Sequence, residues 1–251
     1  MCRSMVINKF IMNNLSDITA VILAGGLGTR LRSVVADRPK VLAEIHGKYF
    51  LTFLLDYLIK AGLRYVILCT GYLGEQIQAV YGDTYGPLRL AYSQESSPLG
   101  TAGALRLALP LFGSDSVFVM NGDSICQTDF MAFGEWHQER NADASLLLIK
   151  VPDVRRFGQV LVDKEGRVLR FEEKNDKAGS GWINSGVYII DRKLIKEIPK
   201  GIPVSLEKEI FPSWIGKQFY GFQSNGRFID IGTPESYAEA DHFFSGDNEL
   251  I

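Results

Sequence analysis

Between Thr19 and Val151 the chain alternates short, unbroken apolar runs with stretches whose apolar residues recur every three or four positions. The runs at 20–24 (AVILA), 65–70 (YVILCT), 88–93 (LRLAYS), 116–122 (SVFVMNG) and 144–151 (ASLLLIKV) predict strands. The stretches at 49–62, 72–82, 100–110 and 129–141 predict helices, two of them closed by Gly62 and Gly82 where a left-handed residue is wanted. Strands that are apolar throughout are buried on both faces. With helices between them, they predict a mostly parallel sheet covered on each side. Ligands of such sheets lie beyond the carboxyl ends of the strands, here the loops after Leu23 and after Met120.

The rhythm changes after Val151. Residues 157–174 read as a hairpin around the turn DKEG, 181–191 as a further strand and 203–215 as a short helix. The segment 227–244 reads as a strand end followed by a last helix, with Thr233 as N-cap and Pro234 at the first helical position. Residues 1–18 are expected to form a loose extension. Residues 19–251 are expected to form one α/β domain with a β-rich second half; no repeat, low-complexity tract or linker interrupts it.

Composition narrows the possible roles. A net charge of −2 over 251 residues gives no field for a nucleic acid partner. Three scattered cysteines, Cys2, Cys69 and Cys126, suit a reduced cytoplasmic setting better than a disulfide framework or a zinc site. No apolar run reaches the ~18 residues of a membrane span. The first 17 residues hold only Arg3 and Lys9 as basic residues and a broken apolar stretch, so no signal peptide is expected; Met5 or Met12 are possible alternative starts.

The candidate chemistry begins at GGLGTRL, residues 25–31. A dinucleotide fingerprint would need glycine at position 31, where Leu31 stands, and a P-loop would need Gly-Lys-Ser/Thr. What remains is a turn in which Gly25, Gly26 and Gly28 let the backbone approach a ligand and present N–H groups to phosphate oxygens. Arg30 adds a forked cation, and Pro39 stiffens the chain ahead of Lys40, a candidate phosphate clamp.

The stretch LAGGLGTRLRSVVADRPKVL (23–42) resembles the signature of the sugar-phosphate nucleotidyltransferases, which join a nucleoside triphosphate to a sugar 1-phosphate and release pyrophosphate. PLGTAGAL (98–105), NGDS (121–124), FEEK (171–174), INSGVYII (183–190) and FIDIGTPESY (228–237) follow in the family's order. The resemblance implies a Rossmann-like three-layer α/β/α fold with a mostly parallel central sheet. It also implies a nucleotide-binding half, 19–151, and a smaller β-rich sugar-binding half, 152–251. Leu23, Ala24, Gly25, Gly26, Gly28, Thr29, Glu95, Gly100 and Thr101 fall at the nucleotide positions, and Gly158, Glu173, Lys174 and Asn184 at those of the sugar and its phosphate. Asp123 and Asp230 match aspartates that hold Mg²⁺, an ion that takes one or two carboxylates plus substrate phosphates.

Arg30, Lys40 and the metal would then relieve repulsion between two anions, with Lys174 on the sugar phosphate. No general base is needed, because the nucleophile is a phosphate oxygen largely ionised at pH 7. The three histidines, His46, His137 and His242, accordingly lie in no catalytic setting, and His137 and His242 read as ordinary helix residues. Glu95, five residues before Gly100, would face the base edge. A carboxylate accepts two hydrogen bonds side by side, which suits guanine's N1–H and N2–H₂ and not the acceptor-flanked N3–H of thymine or uracil. GTP is therefore the expected donor; Gln94, the neighbour of Glu95, is the alternative contact.

Over its length the chain most resembles the bacterial members that guanylylate D-glycero-α-D-manno-heptose 1-phosphate. That sugar is the favoured acceptor, for surface glycans such as lipopolysaccharide, capsule or S-layer chains. Mannose 1-phosphate guanylyl transfer and hexose 1-phosphate thymidylyl or uridylyl transfer are the alternatives. A catalytically silent nucleotide-sugar sensor is the rival of another class, set against the joint presence of Arg30, Lys40, Asp123, Lys174 and Asp230. No membrane partner is expected, and a homo-oligomer is left open.

Overall fold

The computed structural model describes residues 15–26, 28–172 and 179–245. Strand β1 (Thr19–Leu23) is followed by a small hairpin of β2 (Glu44–Ile45) and β3 (Lys48–Tyr49), then α1 (Phe50–Lys60) and β4 (Tyr65–Thr70). Next come α2 (Gly74–Tyr81), β5 (Thr84–Tyr85), β6 (Leu88–Gln94), α3 (Gly100–Ala108) and β7 (Ser116–Asn121). The chain continues through β8 (Ser124–Gln127), α4 (Phe130–Glu139), β9 (Ala144–Val151), β10 (Gln159–Val162) and β11 (Val168–Glu172). Strand β12 (Gly181–Asp191) leads into α5 (Arg192–Glu197). The predicted helix at 203–215 is instead a π-helical turn, Leu206–Ile210, running into the single turn of α6 (Phe211–Trp214). Strands β13 (Phe219–Ser224) and β14 (Arg227–Asp230) and helix α7 (Pro234–Ser245) complete the described chain.

Strands β7, β1, β4 and β6 lie side by side and parallel, as their apolar runs predict. The run at 144–151 departs from that pattern. It forms β9, antiparallel to β12 and parallel to β13. Strand β12 explains the mixture. One of its edges pairs with β9, while the other pairs antiparallel with β7 over Val187–Asp191 and reaches β10 at Ile183. The register against β9 slips between Asn184 and Tyr188, where Gly186 takes a φ of 80°. This bulge turns the strand from one neighbour to the next.

Side chains alternate across the sheet into two cores. Ala20, Ile22, Val66, Leu68, Phe118 and Met120 face one side, under α1, α4 and α7. Val21, Ile67, Cys69, Val117 and Val119 face the other, under α3 and α5. The result is the expected three-layer α/β/α arrangement. An isolated helix as short as α1 is marginal in water. It forms because Phe50, Leu51, Leu54, Leu55 and Leu58 are buried, each contributing about 1.5–3 kcal/mol. Gly62 and Gly82 take the left-handed φ expected after α1 and α2, 89° and 60°. Thr233 Oγ1 accepts from Ser236 N at 3.3 Å ahead of Pro234, the anticipated cap of α7. Leu15 and Ile18, the end of the stretch expected to be loose, are buried against the first core.

Candidate active site

A cleft of about 350 Å³ opens at the carboxyl ends of the parallel strands. Every residue assigned from sequence to the nucleotide lines it: Leu23, Ala24, Gly25, Gly26, Gly28, Thr29, Glu95, Gly100 and Thr101, together with Arg30, Lys40 and Asp123. Two backbone bonds set where the glycine turn leaves the sheet. Ala24 N donates to Cys69 O at 2.8 Å, and Gly122 N donates to Leu23 O at 2.9 Å. The turn thus starts wedged between β4 and β7, and Gly28 turns it with a φ of 59°.

Glu95 extends the β4–β6 ladder through its own N–H to Thr70 O, 2.9 Å. Its Oε1 lies against two glycines, 2.9 Å from where a Cβ on Gly25 would stand and 2.8 Å from one on Gly71. Any larger residue at either position would displace the carboxylate. Oε2 accepts from Leu99 N at 3.0 Å, which fixes the loop ahead of α3. Burial pushes the Glu95 carboxyl up from its ordinary range, and the Leu99 N–H opposes this.

The charged wall is assembled by a separate two-stranded ribbon. Strand β14 pairs antiparallel with β8, Asp230 opposite Ser124, and Ile231 N donates to Asp123 O at 2.8 Å. The two aspartates, 107 positions apart in sequence, are therefore backbone neighbours. Lys40 Nζ sits 2.6 Å from Asp123 Oδ2. Asp230 Oδ1 accepts from Gly232 N at 2.9 Å and Ser236 Oγ at 3.3 Å, while its Oδ2 faces Arg156 Nη2 at 3.4 Å. A Cβ on Gly232 would stand 2.6 Å from Asp230 Oδ1, 3.5 Å from Arg30 Nη2 and 3.7 Å from Lys40 Nζ. Arg30, Lys40 and Asp230 converge on that one point. Among the described residues no group of three or more His, Cys, Asp or Glu could hold a metal. Asp123 lines the cleft and Asp230 stands just off its wall, behind Gly232; carboxylates on two neighbouring backbone positions suit a hard cation whose remaining ligands are water and phosphate oxygens.

The residues assigned to the sugar are placed differently. Glu173 and Lys174 lie outside the described residues. Asn184 does not line the cleft: its Nδ2 donates to Tyr188 Oη at 3.0 Å and its Oδ1 accepts from Gly186 N at 2.9 Å, so the amide serves the bulge. Gly158 also lies off the cleft wall, after a loop that docks on β14 through the Phe157 and Phe228 rings, 5.9 Å apart. Thr101 does line the cleft, yet its hydroxyl is taken by protein. It accepts from Leu206 N at 2.8 Å and donates to Glu207 Oε2 at 2.9 Å. Gly100, at a φ of 69°, leaves room for Val204 O, which would be only 2.5 Å from a Cβ. That carbonyl accepts from Ala102 N and Gly103 N at the start of α3.

Sequence reasoning missed Gly71, Asn121, Arg156, Tyr188 and Glu207. Asn121 stands inside the NGDS motif, and its position was the available signal; the others have partners only in the folded chain. His137 is buried in α4, bonded to Ser145 Oγ at 2.8 Å, and burial pushes its pKa down to about 4. His46 occupies the two-residue turn between β2 and β3, and His242 lies in α7. Among the described residues no helix is long and apolar enough to cross a membrane.

A family model described as nucleotidyl transferase matches residues 19–245. The chain is 39% identical over 222 residues to the D-glycero-alpha-D-manno-heptose 1-phosphate guanylyltransferase of Aneurinibacillus thermoaerophilus, covering 88% of this chain and 96% of that one. It is 37% identical over 224 residues to the mannose-1-phosphate guanylyltransferase of Mycobacterium tuberculosis, of which it spans 62%. The crystal structure of HddC from Yersinia pseudotuberculosis complexed with GMP-PN matches at a TM-score of 0.80 and 36% identity, over 90% of this chain and 99% of that one.

Proposed function

Given that the chain belongs to the nucleotidyl transferase family, we propose that it transfers GMP from GTP to a sugar 1-phosphate, releasing pyrophosphate. D-glycero-α-D-manno-heptose 1-phosphate is the favoured acceptor, supported by the relative of matching length, and GDP-heptose for surface glycans is the product. Mannose 1-phosphate is the alternative, favoured by the similar identity to a mannose-1-phosphate enzyme.

The observation that carries the reading is that Arg30, Lys40 and Asp123 line a cleft that Glu95 also lines, with Asp230 beside Arg30 and Lys40 at Gly232. Glu95 accepts guanine's N1–H and N2–H₂; each carboxylate oxygen has two lone pairs, so the bond from Leu99 leaves acceptors free. The glycine turn and Arg30 hold the triphosphate, and Lys40 exchanges Asp123 for phosphate oxygens. Asp123 and Asp230 would hold a divalent ion, Mg²⁺ by preference, which supplies charge neutralisation between the two phosphates. Lys174 and Glu173 are assigned to the sugar phosphate and sugar hydroxyls. The reacting oxygen is already ionised, so alignment and neutralisation suffice.

The test is pyrophosphate release from a panel of GTP, ITP, dTTP and UTP crossed with heptose, mannose and glucose 1-phosphates. GTP with heptose 1-phosphate is expected to give the highest kcat/KM. Preference for dTTP or UTP would overturn the base assignment, and preference for mannose the sugar assignment. Absence of turnover with every pair would favour a silent sensor.

A further inference from the structure

Two arginines stand side by side in the loop between β9 and β10, and the fold treats them differently. Arg155 is committed to its own loop. Its Nε lies 3.0 and 2.8 Å from the two oxygens of Asp153, whose Oδ1 also accepts from Arg155 N. Arg156 has one ion pair among the described residues, the 3.4 Å contact from Nη2 to Asp230 Oδ2, and 48% of its side chain is exposed. The backbone that carries it is anchored. Phe157 N donates to Val154 O at 2.8 Å, Val154 is buried, and the Phe157 ring packs edge-on against Phe228, two positions before Asp230 on β14.

Asp230 offers its two oxygens to different partners. Oδ1 accepts from Gly232 N and Ser236 Oγ, so the main chain and α7 hold it. Oδ2 faces Arg156 and is the oxygen left for a cation. Asp123 is covered in the same way, by Lys40 at 2.6 Å. Each carboxylate assigned to the divalent ion thus pairs with a protein cation, one from each half of the chain. An ion pair as long and exposed as that of Arg156 is weak and screened by salt. A doubly charged ion at Oδ2 displaces the guanidinium, because like charges on one oxygen repel.

Once displaced, Arg156 stays near, since Phe157 keeps its backbone against β14. Its guanidinium is then a free planar fork, one carboxylate away from Gly232, where Arg30 and Lys40 converge. Those two cations belong to the first half and, in the proposed reaction, to the triphosphate. Arg156 comes from the second half, two positions before Gly158. The acceptor's phosphate carries about −1.5 to −2 charge at pH 7, as phosphate monoesters do, and must approach a second anion. A fork of N–H donors matches such a group in charge and in shape.

We propose that Arg156 is a binding residue for the phosphate of the sugar 1-phosphate: it pairs with Asp230 until a divalent ion takes Oδ2, and then moves to that phosphate. This rests on the proposed guanylyl transfer. The two roles have opposite signs. Removing the guanidinium helps the ion and harms the sugar phosphate. A residue that only held Asp230 in place would harm the ion as well, and a ligand of the triphosphate would harm GTP instead.

The variants are Arg156→Met, which removes the charge, Arg156→Lys, which keeps the charge and loses the fork, and Arg155→Met as a control in the same loop. A thermal melt shows whether each is folded. Mn²⁺ is titrated without nucleotide at low ionic strength and followed by electron paramagnetic resonance. KM is measured by pyrophosphate release for GTP and for whichever of heptose and mannose 1-phosphate wild type prefers. Arg156→Met is expected to bind Mn²⁺ about threefold tighter than wild type, the scale of a weak exposed ion pair. Its KM for the sugar phosphate should rise about tenfold or more, the scale of one hydrogen bond to a charged group, while that for GTP changes less than about threefold. Arg156→Lys should keep wild-type Mn²⁺ binding and recover part of the KM, and Arg155→Met should match wild type in both.

Mn²⁺ binding that is unchanged or weaker in folded Arg156→Met overturns the proposal, as does an unchanged KM for the sugar phosphate or a rise confined to GTP. An equal rise in Arg155→Met would assign the effect to the loop and also overturn it. Should Arg156→Met fail to fold, Arg156→Gln carries the same comparison. Absence of turnover by wild type with every pair of substrates would instead overturn the proposed reaction, and the phosphate role with it, whereas the Mn²⁺ titration still decides whether Arg156 covers Asp230.

Discussion

Replacing Glu95 by glutamine tests the base assignment without changing side-chain volume. Leu99 N–H can be met only by the amide oxygen, so that oxygen must take over the 3.0 Å bond made by Oε2. The NH₂ then falls where Oε1 lies, against Gly25 and Gly71. Guanine loses an ionised acceptor and meets a donor in its place. A hydrogen bond to a charged group contributes about 1.5–3 kcal/mol, so kcat/KM for GTP should fall about 10- to 150-fold. UTP and dTTP, which present acceptor carbonyls on this edge, should fall less or gain. ITP lacks the N2 amine and should lose less than GTP. The assay is pyrophosphate release with the four triphosphates in competition, with a thermal melt to show that the variant is folded. An unchanged GTP:UTP ratio in a folded Glu95→Gln protein would refute the reasoning. A second handle is pH. Burial raises the Glu95 carboxyl, so its protonation and the loss of base preference should begin at higher pH than for an ordinary glutamate.

Other outcomes follow from the same geometry. Lys40 pairs with Asp123, so Mn²⁺ followed by electron paramagnetic resonance should bind weakly without nucleotide; Lys40→Met should tighten that binding about fivefold, the scale of a ~1 kcal/mol ion pair. Asp123→Asn and Asp230→Asn should each lower kcat by more than tenfold, with the variants still folded by circular dichroism. Gly100→Ala forces a side chain into a φ of 69° and onto Val204 O, a cost of about 1–3 kcal/mol and a fall in Tm of roughly 2–10 °C by calorimetry. His137 titrates at about 4 in the folded chain and near 6.5 unfolded, so the unfolded state binds more protons between those values and stability falls as pH drops through that window. Urea midpoints should show a loss of about 2 kcal/mol from pH 7 to pH 5 attributable to His137, absent in His137→Gln.

What the sequence disclosed was whatever local pattern encodes. The apolar runs located the parallel strands, and the glycine turn at the end of β1 located the cleft, because both depend on residues adjacent in the chain. The left-handed glycines and the Thr233 cap were legible for the same reason. The antiparallel placement of 144–151 was not, since an unbroken apolar run means burial on both faces whichever way its neighbours point. The nearness of Asp123 and Asp230 depends on a ribbon pairing across more than a hundred residues, so motif order could suggest it but periodicity could not. Asn184 and Thr101 show what motifs leave out. Both look like ligand contacts from their motifs, and both have their side-chain bonds committed to Tyr188, Gly186, Leu206 and Glu207. Arg156 gave no local sign of its partner Asp230, because one arginine of an adjacent pair is indistinguishable from the other until the loop docks.

The ribbon of β8 and β14 has a bearing on how such a site can drift. It sets the spacing of its two acidic positions through main-chain bonds, chiefly Ile231 to Asp123. Neither carboxylate is required to keep the other in place. A single codon change could therefore erase chemistry while leaving the scaffold whole, so descendants that only recognise their former substrates are one mutational step away.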